Sequence, residues 1–218
     1  MVNIEEAVRK IEQIGIVPVV RAANIEEARR AVDAIHKGGI PVIEITMTVP
    51  NAPAMIQELV HHYGKDVLTG AGTVTTAAQA KTCLDAGAQF LVSPGLSVPV
   101  LQAAADQGIL AIPGALTPTE VMAAIEAGAK LIKIFPCGSA GGPKHIKALK
   151  APFPETRLIP TGGVNLSNAA DYFAAGAFAL GVGADLVDLA ALRQNQPAKI
   201  IDMAKSLTDA VRLARAPK

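Results

Sequence analysis

One phrase recurs along the chain, and it restricts the possible folds more than any single motif does. Short runs rich in Val, Ile and Leu occur at Ile16 to Val20, Pro41 to Thr46, Val67 to Ala71, Gln89 to Ser93, Ile109 to Ile112, Lys130 to Ile134, Arg157 to Pro160 and Phe178 to Gly181. Continuous apolar runs of this length suit strands buried on both faces. Between them lie stretches with helical spacing. Several open on caps: Asn24 with Glu27, Thr76 with Gln79, and Thr117-Pro118-Thr119-Glu120, with proline at the first helical position. Gly38-Gly39, Ala86-Gly87-Ala88, Ala127-Gly128-Ala129 and Ala175-Gly176-Ala177 each put a glycine where a helix must stop on a left-handed residue before the next strand. Eight strands alternating with helices predict a parallel sheet closed into a (β/α)8 TIM barrel. An open doubly wound sheet is the alternative, disfavoured by the strand number and by the lack of a GxGxxG fingerprint.

A chain of 218 residues, half of them hydrophobic, suffices for one barrel domain over residues 1–218. The amino-terminal MVNIEEAVRKIEQIG predicts an extra amphipathic helix ahead of the first strand, without the basic start and apolar stretch of a signal peptide. A last helix is expected to run to about Leu213, after Asn195-Gln196-Pro197. The net charge of +1 and the lack of lysine runs argue against nucleic acid or an acidic membrane surface as partner, and no apolar run approaches the length of a membrane span. A cytoplasmic location is expected. Cys83 and Cys137 have no metal-ligand spacing, so reduced thiols are expected and no structural zinc.

In such a barrel the residues closing each strand at its carboxyl end form the active site. These are Arg21 after VPVV, Glu44 and Thr46 in VIEIT, Thr73 in TGAGT, Pro94 after FLVS, Lys133 and Phe135 in KIFP, and Thr161-Gly162-Gly163 after LIP. Alternation puts Leu131, Lys133 and Phe135 on one face, with Ile132 and Ile134 on the other, and the purely apolar face belongs against the helices. By the same count Glu44 goes inward with Val42 and Thr46, and Arg21 with Val17 and Val19, so Arg21, Glu44 and Lys133 are expected to meet in the barrel mouth. Burial disfavours a lysine's ammonium form, and the neutral amine attacks carbonyls to form imines. The structural alternative is a Glu44–Lys133 ion pair holding two strands. It would be a costly device, since desolvating both charges offsets most of their attraction. Arg21 could pair with a neighbouring loop or serve as a carboxylate-binding fork. Thr161-Gly162-Gly163-Val164-Asn165 and Gly181-Val182-Gly183-Ala184-Asp185 follow the seventh and eighth strands and lead into helices, the usual place for a barrel's phosphate site. His36, His61 and His62 fall on helical stretches and His145 in a glycine-containing loop. None closes a strand, so all four read as solvated. Cys137 reads as a small filler near the pocket.

VPVVRA, IEITMTVP, GAGTV, FLVSPG, IPGALTPTE, KIFP and PTGGV, spread from about Ile11 to Val187, closely resemble the 2-keto-3-deoxy-6-phosphogluconate (KDPG) aldolases, which often also cleave 4-hydroxy-2-oxoglutarate (KHG). The resemblance implies a class I, metal-independent aldolase on a TIM barrel, without cofactor and usually homotrimeric. It assigns the Schiff base to Lys133, proton transfer to Glu44, the neighbourhood of the pyruvyl carboxylate to Thr73, the pocket lining to Pro94 and Phe135, and the phosphate loop to Gly162 and Gly163. Two positions depart from the pattern. Where many members carry an arginine four residues past the glutamate, this chain has Thr48, and Arg21 resembles the first-strand arginine of other members, among them aldolases for the galactonate epimer. Ala184 stands where others have serine in the eighth-strand loop, leaving Gly183 and Ala184 to offer backbone amides. The substrate implied is a phosphorylated 2-keto-3-deoxy sugar acid, with KHG as a competitor. A phosphate-binding barrel isomerase, or a sugar-phosphate-binding barrel without turnover, shares the glycine loops but does not need Lys133.

Overall fold

The computed structural model describes residues 2–216. Its strands are β1 (Ile16–Val20), β2 (Val42–Thr46), β3 (Leu68–Gly72), β4 (Phe90–Val92), β5 (Leu110–Ile112), β6 (Gly114–Ala115), β7 (Ile132–Ile134), β8 (Leu158–Pro160) and β9 (Leu180–Val182). The helices are α1 (Ile4–Ile14), α2 (Ile25–Lys37), α3 (Ala52–Tyr63), α4 (Ala77–Asp85), α5 (Val98–Ala105), α6 (Pro118–Glu126), α7 (Pro143–Lys150), α8 (Ala169–Ala174), α9 (Leu189–Arg193) and α10 (Ala198–Arg215), with a 3₁₀ turn at Gly138–Ala140. Every strand pairing is parallel, as alternation with helices requires.

The wall is laddered as two sheets, where the sequence predicts one run of eight strands. Six strands follow the order β5-β4-β3-β2-β1-β9, and three follow β6-β7-β8. The expected fifth strand is present as β5, and an extra short strand, β6, follows it after Pro113, which has no amide hydrogen to continue the ladder but whose carbonyl accepts from Lys133 N at 2.9 Å. Gly114 lies so close to the Pro94 carbonyl that a Cβ would collide with it. At the other edge, a Thr161–Gly181 bridge and the Phe178 N–H to Leu158 C=O bond at 2.8 Å link β8 to β9.

Alternation sorts the apolar residues as expected. Val17, Val42, Leu68, Phe90, Leu110, Leu131, Ile159 and Ala179, one from each of the eight segments, form a single inner cluster. Ile43, Ile45, Ile132 and Ile134 face the other way, into the layer beneath the helices. Helix α1 closes the amino-terminal end of the strands, with Ala7, Val8 and Ile11 joining the inner cluster.

Local signals held where a side chain could satisfy an orphan amide. Asn3, Asn24, Thr76 and Thr117 each accept from the backbone N–H three residues on, an arrangement worth about 1 kcal/mol over alanine. Gly39, Gly87, Gly128 and Gly176 are left-handed, with φ of 93, 91, 84 and 96°. His61 and His62 are exposed as expected, but two histidines are half-buried: His36, edge-on to Tyr63, and His145. His145 lies on α7, whose start was marked by Gly142-Pro143, and its Nε2 is 2.7 Å from the Leu116 carbonyl. Among the described residues, no helix is long and apolar enough to cross a membrane.

Candidate active site

Glu44 and Lys133 come from different sheets and meet across the interior. Lys133 Nζ stands 3.8 Å from Glu44 Oε1, with side chains 4% and 3% exposed. That separation is outside hydrogen-bond range, so the attraction is coulombic only. Glu44 Oε1 is buried with no hydrogen-bond partner among the described residues. A buried carboxylate oxygen lacking a donor is costly, and its neighbours hold it there. Gly72 on β3 is the seat, because a Cβ at that position would collide with Glu44 Oε1. The next residue, Thr73, has φ of 59°, a left-handed conformation that a β-branched residue adopts only under constraint.

Phe135 is half-buried and lies between the lysine and the glycine loop. Its ring centroid is 5.3 Å from Lys133 Nζ, and it packs against Gly162. Gly162 and Gly163 are left-handed, with φ of 86 and 77°. The segment after β7 runs alongside them: Cys137 N–H donates to Thr161 C=O at 2.9 Å and Gly138 N–H to Gly162 C=O at 2.8 Å. Cys137 itself is buried outside this pocket, against Tyr172, and burial first of all pushes its thiol up to about 11. Pro94 adjoins Gly114, which pairs in register with Lys133.

Among the described residues Arg21 makes no ion pair with Glu44, whose cation is Lys133. Arg21 follows the last residue of β1, is exposed, and directs its guanidinium toward Gly183 in the loop after β9. The glycine loops also differ from expectation. Helix α8 starts only at Ala169, after a turn in which Asn165 and Asn168 side chains accept backbone amides. Helix α9 starts at Leu189, and Asp188 Oδ1 takes its Ala191 N–H. Asparagine and aspartate compete for helix-start amides in this way, so loop backbone, and not a bare helix end, is what Gly162, Gly163, Gly183 and Ala184 present.

Sequence reasoning passed over two features. Gly72 was visible only as part of GAGTV, although an inward-facing glycine beside an inward-facing glutamate is the signal. The other is a hydroxyl chain. Thr46 Oγ1, fully buried, donates to Val20 C=O at 3.1 Å and lies 2.6 Å from Thr48 Oγ1. Among the described residues no cluster of three or more His, Cys, Asp or Glu is arranged to hold a metal ion.

A buried lysine and glutamate in one mouth, flanked by glycine loops, can be compared with known enzymes. The profile of the family described as "Aldolase: KDPG and KHG aldolase" matches residues 4–203. The chain belongs to this family. It is an aldolase, a carbon–carbon lyase of the class I KDPG/KHG group. It is 38% identical over 174 residues to the 2-dehydro-3-deoxy-phosphogluconate aldolase of Treponema pallidum, covering 80% of this chain and 81% of that one. It is also 36% identical over 175 residues to the 2-dehydro-3-deoxy-6-phosphogalactonate aldolase of Escherichia coli, covering 80% and 85%. A crystal structure of KDPG aldolase from Legionella pneumophila, with pyruvate captured at low pH as a covalent carbinolamine intermediate, superposes with a TM-score of 0.85 at 30% identity, covering 92% of this chain and 97% of that one. The family is thus fixed, while relatives of both epimeric specificities stand at similar distance.

Proposed function

We propose that the two sheets form one closed (β/α)8 barrel domain over residues 1–218, and that it cleaves KDPG to pyruvate and glyceraldehyde 3-phosphate, and KHG to pyruvate and glyoxylate, through a Schiff base on Lys133. The observation that carries this reading is the buried Lys133 amine facing a buried glutamate oxygen that has no donor among the described residues. As the neutral amine, Lys133 attacks the C2 ketone. Glu44 relays the protons that expel water and give the iminium. The iminium accepts the electron pair released when the C3–C4 bond breaks, and Glu44 takes the C4 hydroxyl proton. The aldehyde leaves, the enamine is protonated at C3, and hydrolysis frees pyruvate.

Thr73 is assigned to the pyruvyl carboxylate and Pro94 and Phe135 to the pocket walls. Arg21 is assigned to an anionic group of the substrate, and its direction toward Gly183 favours the phosphate end, with the amides of Gly162, Gly163, Gly183 and Ala184. The chemistry requires no cofactor. A cytoplasmic homotrimer is the assembly we expect, and the exposed Val98, Met122 and Ile125 on α5 and α6 provide apolar surface for it. Cleavage of the galactonate epimer is a second reading, supported by the relative of that specificity.

Borohydride added with pyruvate should leave a mass increment on the peptide carrying Lys133, and Lys133→Met should abolish both the adduct and turnover. Turnover that survives Lys133→Met, or that is lost to EDTA in the unsubstituted chain without adduct formation, would replace the Schiff base with metal-dependent cleavage. Comparing kcat/KM for the two phosphorylated epimers and KHG assigns the substrate.

A further inference from the structure

One half-buried histidine outside the lysine–glutamate pair joins two parts of the barrel mouth. His145 Nε2 lies 2.7 Å from the Leu116 carbonyl, which can only accept, so this ring nitrogen carries the hydrogen. The neutral Nε2–H ring and the imidazolium both donate there, and the bond persists in either charge state. Its partner is anchored from the other side. The Glu120 carboxylate accepts from Leu116 N–H and from Thr117 N–H, each at 2.7 Å. The peptide between Leu116 and Thr117 is thus held at its N–H by Glu120 and at its C=O by His145.

On the Leu116 side the bond leads to the lysine. Leu116 follows β6, where Gly114 is in register with Lys133, Pro113 C=O accepts from Lys133 N–H at 2.9 Å, and Ala115 C=O accepts from Phe135 N–H at 3.1 Å. On the other side it leads to the glycine loop. His145 N–H donates to Gly142 C=O at 3.0 Å, and Gly142 N–H to Cys137 C=O at 3.0 Å. Cys137 N–H then donates to Thr161 C=O at 2.9 Å, and Gly138 N–H to Gly162 C=O at 2.8 Å. A Cβ on Gly138 would come within 2.9 Å of the Gly162 carbonyl oxygen and 3.1 Å of Gly163 Cα. The start of α7 and the glycine loop are therefore one hydrogen-bonded unit. Beyond the ends of the strand ladders, His145 ties that unit to the strand beside Lys133.

We infer that His145 is a positioning residue, which holds the glycine loop at its distance from Lys133 and so favours substrates long enough to engage both. It acts through backbone, without touching substrate. This role rests on the Schiff-base reading above and on the assignment of the phosphate to Gly162 and Gly163. A phosphorylated six-carbon acid bound through C2 reaches both ends, so any play between them must be removed on binding, at a cost in affinity. KHG ends at C5 and carries no phosphate. It uses the lysine end alone and is indifferent to the tie.

The test is His145→Phe, which keeps a ring and removes the donor. Ordering that the bond supplies in advance must then come from substrate binding, so the loss is bounded by the worth of one neutral hydrogen bond. The KM for the phosphorylated substrate, divided by the KM for KHG, should rise roughly three- to tenfold. His145→Gln, whose amide can donate from nearly the same place, should restore the ratio. A ratio unchanged in His145→Phe, or a rise in both KM values together, overturns the inference. Gly162→Ala, which puts a side chain on left-handed backbone in the loop itself, tests the phosphate assignment and should raise the ratio at least as far. If Gly162→Ala leaves the ratio unchanged, that assignment falls and the inference with it. Absence of a borohydride adduct with pyruvate in the unsubstituted chain overturns the Schiff-base reading itself, and this role with it.

Discussion

Two buried glutamates show opposite uses of a carboxylate. Glu27 is 8% exposed, and both its oxygens are matched: Ala23 N–H donates to Oε2 at 2.8 Å and Arg193 Nε–H to Oε1 at 2.7 Å. Burial works against its charge, but these bonds and the charges of Arg193 and Arg30 outweigh it and hold the carboxyl below its usual range. Glu44 is 2% exposed, its cation stands off at 3.8 Å, and one oxygen has no donor among the described residues. The first arrangement fastens α2 to α9. The second is poor fastening, and an oxygen kept free of donors is what a proton relay requires. The difference lies in local backbone: Glu27 sits in the first turn of a helix, within reach of amides, whereas Glu44 projects from a strand whose amides are spent in the ladder.

This contrast can be broken at several points. Glu44→Gln should lower kcat by roughly 10² to 10⁴, the usual worth of a positioned acid–base group, with circular dichroism unchanged. Steady-state kinetics within tenfold of the parent would remove Glu44 from the proton path. Gly72→Ala should cost about 10² in kcat/KM by displacing the Glu44 carboxylate, since misplacement by about 1 Å is enough for such a loss. The smallest effect concerns stability. Glu27→Gln should lose about 1–2 kcal/mol at neutral pH, read from urea midpoints, because charged bonds to Ala23 and Arg193 are weakened. The folded-state carboxyl is depressed below its unfolded value, so this contribution is present above the unfolded value and disappears as pH falls through the folded one. The deficit should therefore shrink in acid. The Lys133→Met/Glu44→Met double variant should match or exceed the parent in stability, as replaced buried ion pairs often do. A loss of several kcal/mol there would make the two glutamates alike.

The strands, caps and helix stops were legible because each depends on residues adjacent in sequence: an apolar run, an Asn or Thr three residues before an acceptor-poor amide, a glycine. The meeting of Glu44 and Lys133 was legible through alternation, since period two fixes a face wherever the strand may lie. The rule is weaker for Arg21, because the strand ends at Val20 and past a strand's end alternation fixes no face. The break at Pro113 could have been read from the sequence, because proline has no amide hydrogen for the ladder, whereas nothing in a threonine side chain announces the left-handed backbone of Thr73. The late start of α8 and α9 could have been read from Asn165, Asn168 and Asp188, which compete with helix for the same amides.

Helix α1 has a kinetic consequence. Ala7, Val8 and Ile11 join the apolar cluster that fills the strands' amino-terminal end, which leaves the carboxyl-terminal end as the side of approach to Lys133. Of two products formed there, the one tethered to the lysine leaves second. Under the Schiff-base reading the aldehyde departs first and pyruvate last, so pyruvate should inhibit cleavage competitively with the sugar acid, and the aldehyde noncompetitively.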